Sequence, residues 1–216
     1  MTLLRRWFGG AAGAEAAARR WVVLDVETSG LDVHHDRLLA IAAIALRLDG
    51  EATPHIVLAD SFEAVLRQRA ALADKQNILL HGIGVGEQRA GAPAAAVLLE
   101  FERWLGGAPL IAFHAAFDQA MIERAMKGSL GRVLANPWLD LEPVADALFP
   151  AVGGRALDDW LAHFDIDCAV RHQAAADTLA TAELLLRLWP ASRAQQCASF
   201  AGLRKLAGQR RWLAQR

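Results

Sequence analysis

Cysteine is nearly missing from this 216-residue chain, which has only Cys168 and Cys197. Two thiols cannot build a disulfide framework, so the sequence fits a reducing compartment. Net charge is also nearly missing, with 23 Lys and Arg against 24 Asp and Glu. Taken alone, that balance argues against a polyanionic partner. Long apolar runs are missing too. The longest, Leu38 to Leu46, has nine residues, about half a membrane span. Near the start, Arg5-Arg6-Trp7-Phe8 has the look of an export signal, but Glu15, Arg19 and Arg20 interrupt the stretch that should be apolar. A cytoplasmic protein with no membrane contact is expected. No internal repeat or low-complexity linker divides the chain. What it does have is 54% hydrophobic and 22% charged residues, an ordinary globular composition with a sizeable core.

The pattern along the chain changes character once. Trp21 to Glu27 is β-branched and apolar, and predicts a strand closed by the turn Thr28-Ser29-Gly30. Leu38 to Leu46 predicts a strand buried on both faces. After the turn at Asp49-Gly50, His55 to Leu58 predicts a short third strand. The short connections favour antiparallel neighbours. Helical spacing then appears over Ala94 to Leu105, followed by a strand at Pro109 to Phe113 and a helix from Phe117 to Lys127. Leu139 to Leu148 and Leu157 to Phe164 read as helical. The clearest helix runs from about Gln173 to Trp189, where Pro190 is expected to stop it. Three antiparallel strands followed by alternating elements predict an α/β fold, a mixed sheet with helices on its faces.

Four acids stand out against this background. Asp25 and Glu27 lie two apart on the first strand, so both carboxylates share one face. They repel each other there. A strand end meeting solvent explains such a pair, and so does a bridging divalent metal. Asp118 falls at the start of a helix, where it reads either as a cap or as an inward ligand in register with Ile122 and Ala125. Asp177 shares a helical stripe with Thr181, Leu184 and Leu188, so it points to the packed side and needs a partner. His172, five residues earlier, must sit in the loop before that helix to converge with it. It reads as a structural loop histidine or as a proton acceptor. Together the four acids repel strongly unless they hold cations. Two Mg²⁺ or Mn²⁺ ions would serve, an arrangement suited to in-line phosphodiester hydrolysis with a neutral imidazole taking the water's proton.

These segments resemble the DEDDh branch of the DnaQ-like 3′→5′ exonucleases, the group that includes the polymerase III proofreading subunit. Asp25-Val26-Glu27-Thr28-Ser29-Gly30-Leu31 matches the first motif, Phe117-Asp118 ends the second, and Arg171-His172 through Asp177 matches the third. Weaker matches are His81-Gly82-Ile83, Gly91-Ala92-Pro93, Leu139-Asp140-Leu141 and Leu157-Asp158-Asp159. The resemblance implies a ribonuclease H-like fold with a five-stranded sheet. It also implies metal ligands Asp25, Glu27, Asp118 and Asp177, a general base in His172, and substrate contacts at Thr28 and Leu31. The implied activity removes nucleotides from 3′ ends and releases 5′-monophosphates. DNA is the expected substrate; RNA trimming and an accessory role bound to a polymerase are the alternatives. Two positions depart from the family pattern. Phe113-His114 replaces the usual His-Asn pair, so His114 is a further candidate substrate contact, and Ala40 stands where a glutamate is common.

The division expected is a basic arm at 1–20, the exonuclease domain at 21–190 and a basic tail at 191–216, whose Leu203, Leu206, Trp212 and Leu213 offer apolar character for docking. Charge follows much the same division. Residues 1–20 carry +3, residues 184–216 carry +7, and residues 21–183 carry −11. The neutral total therefore conceals an acidic body between two basic ends, and a nucleic-acid partner is compatible with it.

Overall fold

The computed structural model describes residues 19–49, 53–68 and 75–214, with side chains to residue 212. Most of the N-terminal arm, Gly50 of the expected turn and the Leu213 side chain lie outside that set. Five strands form one sheet: β1 (Arg20–Thr28), β2 (Leu38–Arg47), β3 (His55–Val65), β4 (Leu110–Ala112) and β5 (Trp138–Asp140). Their order is β3-β2-β1-β4-β5. The first three strands pair antiparallel, and β4 and β5 add parallel to β1. The helices are α1 (Lys75–His81), α2 (Val85–Ala90), α3 (Ala94–Leu105), α4 (Ala115–Leu130), α5 (Glu142–Leu148), α6 (Leu157–Phe164), α7 (Ala174–Ala194) and α8 (Phe200–Ala214).

The period of two along β1 separates two cores. Val22, Leu24 and Val26 pack with α3 and α4, through residues such as Phe101, Leu105, Met121 and Ile122. Trp21 and Val23 face the other way. They join a cluster with Val144, Ala145 and Leu148 on α5, Trp160 on α6, and Leu184, Leu188 and Trp189 on α7. Asp25 and Glu27 continue the Trp21–Val23 row, so they lie on the face of the strand that α7 covers.

Several elements differ from the sequence expectation, each for a physical reason. β3 runs on to Val65 because it pairs with β2 as far as Ala40, while its edge position leaves Ser61 and Glu63 exposed and Phe62 packs inward. The helix expected at Phe117–Lys127 begins at Ala115 and continues through Gly128 to Leu130, ending where Gly131 adopts φ 69°. The stretch read as helical from Leu139 divides into β5 and α5, since pairing with β4 captures Trp138–Asp140. Pro190 does not stop α7, which continues to Ala194. Burial of Leu184, Leu185, Leu188, Trp189 and Ser192 holds the helix on both sides of the proline, and the Ser192 hydroxyl donates to the Leu188 carbonyl at 3.0 Å.

The C-terminal segment folds back as α8 against α5 and β5. Leu203 and Ala207 are buried on its inner side, and Phe200 meets the Trp21 ring edge-on at 5.6 Å. Arg210 then pairs with Asp146 and Arg211 with Asp140.

Candidate active site

The carboxyl end of β1 opens into a cavity of about 470 Å³. Asp25, Glu27, Asp118, His172 and Asp177 all line it, as do Thr28, Leu31 and His114. Every residue singled out from the sequence as a site candidate therefore reaches one cavity.

Two helices begin at this cavity in similar ways. Asp118 is the fourth residue of α4 and Asp177 the fourth of α7. Each helix is preceded by a histidine in the left-handed region, His114 at φ 60° and His172 at φ 62°. Such a backbone is uncommon for a residue with a side chain and costs on the order of 1 kcal/mol or more. Both helix N-termini favour a carboxylate nearby. Asp118 does not act as the α4 cap: His114 holds that position without a side-chain cap bond, and Asp118 is 4% exposed.

Charge in the cavity is poorly balanced. Burial pushes Asp25 up to about 8, with Asp177 adding to the rise and Arg171 opposing it. Burial likewise raises Glu27 to about 8, reinforced by Asp25 and Asp177. Asp118 is held well above the usual carboxylate range, first by burial and then by Asp25. One oxygen of Glu27, Oε1, is buried without a hydrogen-bond partner. Ala40 stands directly opposite Glu27 in the β1–β2 register, so a glutamate there would add another carboxylate beside it.

Asp177 is the exception, being well provided with partners. Arg171 pairs with it and also with Asp158 on α6. The His172 N–H donates to Asp177 Oδ2 at 3.1 Å, and Cys168 Sγ lies 3.6 Å from Oδ1. Among the described residues, no group of three or more His, Cys, Asp or Glu stands ready to hold a metal ion. The donor chemistry nevertheless fits a hard divalent cation: crowded carboxylate oxygens, one of them buried and unpartnered.

The loop after β1 is fixed by polar contacts. Ser29 Oγ donates to Asp36 Oδ1 at 2.8 Å, and Thr28 Oγ1 to the Gly30 carbonyl at 2.7 Å. A Cβ on Gly30 would meet the Asp36 carboxylate, so a side chain there would push Asp36 away from the Ser29 hydroxyl. Sequence reasoning did not select Asn77, Leu80, His81, Phe113 or Phe117, which also line the cavity. His81 had a signal in His81-Gly82-Ile83; its Nδ1 accepts from the Ile83 N–H at 3.0 Å. Asn77 and Leu80 had none, since only the tertiary position of α1 brings them to the rim.

A family model described as Exonuclease (RNase_T) matches residues 22–185. A DNA polymerase III PolC-type protein of Bacillus subtilis is 32% identical over 169 residues, 78% of this chain and 11% of the relative. A DNA polymerase III subunit epsilon-like protein of Rhodobacter capsulatus is 30% identical over 187 residues, 85% of this chain and 25% of the relative. The chain thus spans about a tenth of the PolC-type relatives it matches. Among solved structures, E. coli Exonuclease I in complex with a dT13 oligonucleotide aligns with a TM-score of 0.64 at 19% identity, covering 82% of this chain and 42% of that one. Exonuclease X in complex with 5′ overhanging duplex DNA aligns with a TM-score of 0.64 at 16% identity, covering 87% and 99%. The fold is ribonuclease H-like. No helix among the described residues is long and apolar enough to cross a membrane.

Proposed function

Because the chain belongs to the DnaQ-like exonuclease family, we propose that it hydrolyses phosphodiester bonds at the 3′ end of DNA and releases nucleoside 5′-monophosphates. The observation that carries this reading is the convergence of four carboxylates, from β1, α4 and α7, on one cavity beside an exposed histidine. Asp25, Glu27, Asp118 and Asp177 would hold two Mg²⁺ or Mn²⁺ ions. Bound there, such ions would lower the pKa of an attacking water and steady charge on the phosphorus and leaving oxygens. His172, at the mouth of the cavity, would accept the water's proton. Its left-handed backbone and its N–H bond to Asp177 orient the residue relative to that ligand. Thr28, Leu31 and His114 would contact the terminal nucleotide. DNA is preferred over RNA because the relatives are named as DNA polymerases and the aligned exonucleases were solved with DNA.

The test uses a 5′-labelled single strand, as DNA and as RNA, with Mg²⁺ or Mn²⁺. Progressive shortening of the DNA from its 3′ end supports the reading, and internal cuts or no cleavage contradict it. Faster shortening of the RNA would move the assignment to RNA trimming. Association with a polymerase is a second reading, favoured by the epsilon-like relative; co-elution with a replicative polymerase on gel filtration would test it. A cytoplasmic location accompanies either reading.

A further inference from the structure

A second cavity, of about 480 Å³, lies on the other side of His114. His114 lines both cavities. The second is bordered by Arg155, Arg210 and Arg211 together with Glu142 and Asp146. Arg210 and Arg211 belong to α8, beyond residues 22–185 matched by the family.

The acids here hold the arginines in place. Asp146 takes two N–H groups of Arg210, at 2.5 and 3.1 Å, so the remaining guanidinium donors are left for another acceptor. Arg211 donates to Asp140 Oδ2 at 2.5 Å while its side chain stays 53% exposed. Asp140 Oδ1 accepts the His114 N–H at 3.0 Å, so one carboxylate joins the rim residue to α8. Arg155, also exposed, borders the same cleft from the loop before α6. Glu142, which also borders the cleft, is raised by burial and by Asp140.

Resting on the exonuclease reading, we propose that the Arg155–Arg210–Arg211 cleft binds backbone phosphates of a single strand whose 3′-terminal nucleotide lies in the carboxylate cavity. The strand would pass over His114 from one cavity to the other. Guanidinium groups suit this role, because their planar fork matches phosphate oxygens.

The test measures fluorescence anisotropy of the whole chain with labelled oligothymidylates in EDTA, which stops turnover, over graded NaCl. One probe is a dinucleotide and the other has about ten nucleotides. The doubly substituted Arg155→Gln, Arg211→Gln chain should bind the longer probe about tenfold more weakly. Its slope of log affinity against log salt should flatten by about 1.4, from two lost phosphate contacts. The dinucleotide should change by less than about twofold. Arg155→Gln alone leaves the Arg211–Asp140 pair intact and should give part of the effect. Equal losses for both probes, no loss for the longer one, or the same loss from Arg103→Gln on α3 would overturn the proposal. Because no turnover is needed, a chain that binds as expected yet fails to shorten DNA would refute the exonuclease reading separately.

Discussion

In the cavity at the end of β1, only Asp177 of the four carboxylates pairs with a guanidinium among the described residues, that of Arg171; in the cleft beside α8, Arg210 and Arg211 each have a carboxylate of their own. Crowding and pairing push carboxylates in opposite directions. Asp25 and Glu27 are lifted to about 8 by burial and by neighbouring acids. Asp60, paired with Arg20 elsewhere on the sheet, is instead lowered by its guanidinium partner. Crowded acids without counterions mark a place where a cation is needed, whereas matched pairs fix side chains for a partner that arrives later.

The largest effect should come from Asp25→Asn, expected to lower turnover on the order of a thousandfold or more while the chain stays folded by circular dichroism. Retained activity would detach the crowded cavity from catalysis. His172→Ala should lower turnover by about a hundred- to ten-thousandfold with metal affinity little changed. Equal losses in turnover and metal binding would make His172 a ligand. Arg171→Gln removes the cation that competes for Asp177, so Mn²⁺ affinity measured by calorimetry should rise several-fold, roughly as one charge pair allows. A fall would mean that Arg171 chiefly positions Asp177.

A further expected effect is on stability. Asp25 and Glu27 are raised in the folded chain, so the folded state holds more protons than the unfolded state between about pH 4 and 8. Without metal, stability should therefore fall as pH rises through that window and level off above it. Thermal unfolding in EDTA at stepped pH measures this, and a rise across the window would contradict the crowded-acid account.

Much of this was legible in the sequence because it is periodic. The two-residue period of β1 placed Asp25 and Glu27 on one face, and the stripe through Ile122 offered an inward Asp118 as the alternative to a cap, the placement its burial favours. What was not legible depends on contacts between distant segments. Pro190 looks like a helix stop until Leu188 and Trp189 are seen buried beside it. Trp138–Asp140 is too short to show a period, and becomes a strand through β4. Asn77 and Leu80 enter the site only because α1 rests beside the β1 loop, where the Asn77 amide donates to the Ser29 carbonyl. Arg171 was visible within its motif, but its pairing with both Asp158 and Asp177 needs α6 and α7 side by side.

The most direct test of the central claim is a Mn²⁺ titration of the whole chain near pH 7 in buffers of different ionisation enthalpy. The raised carboxylates must lose protons to bind a cation, so binding should release about one proton or more. Asp25→Asn should abolish or sharply reduce both binding and release. Binding without proton release, or no binding at all, would contradict the account.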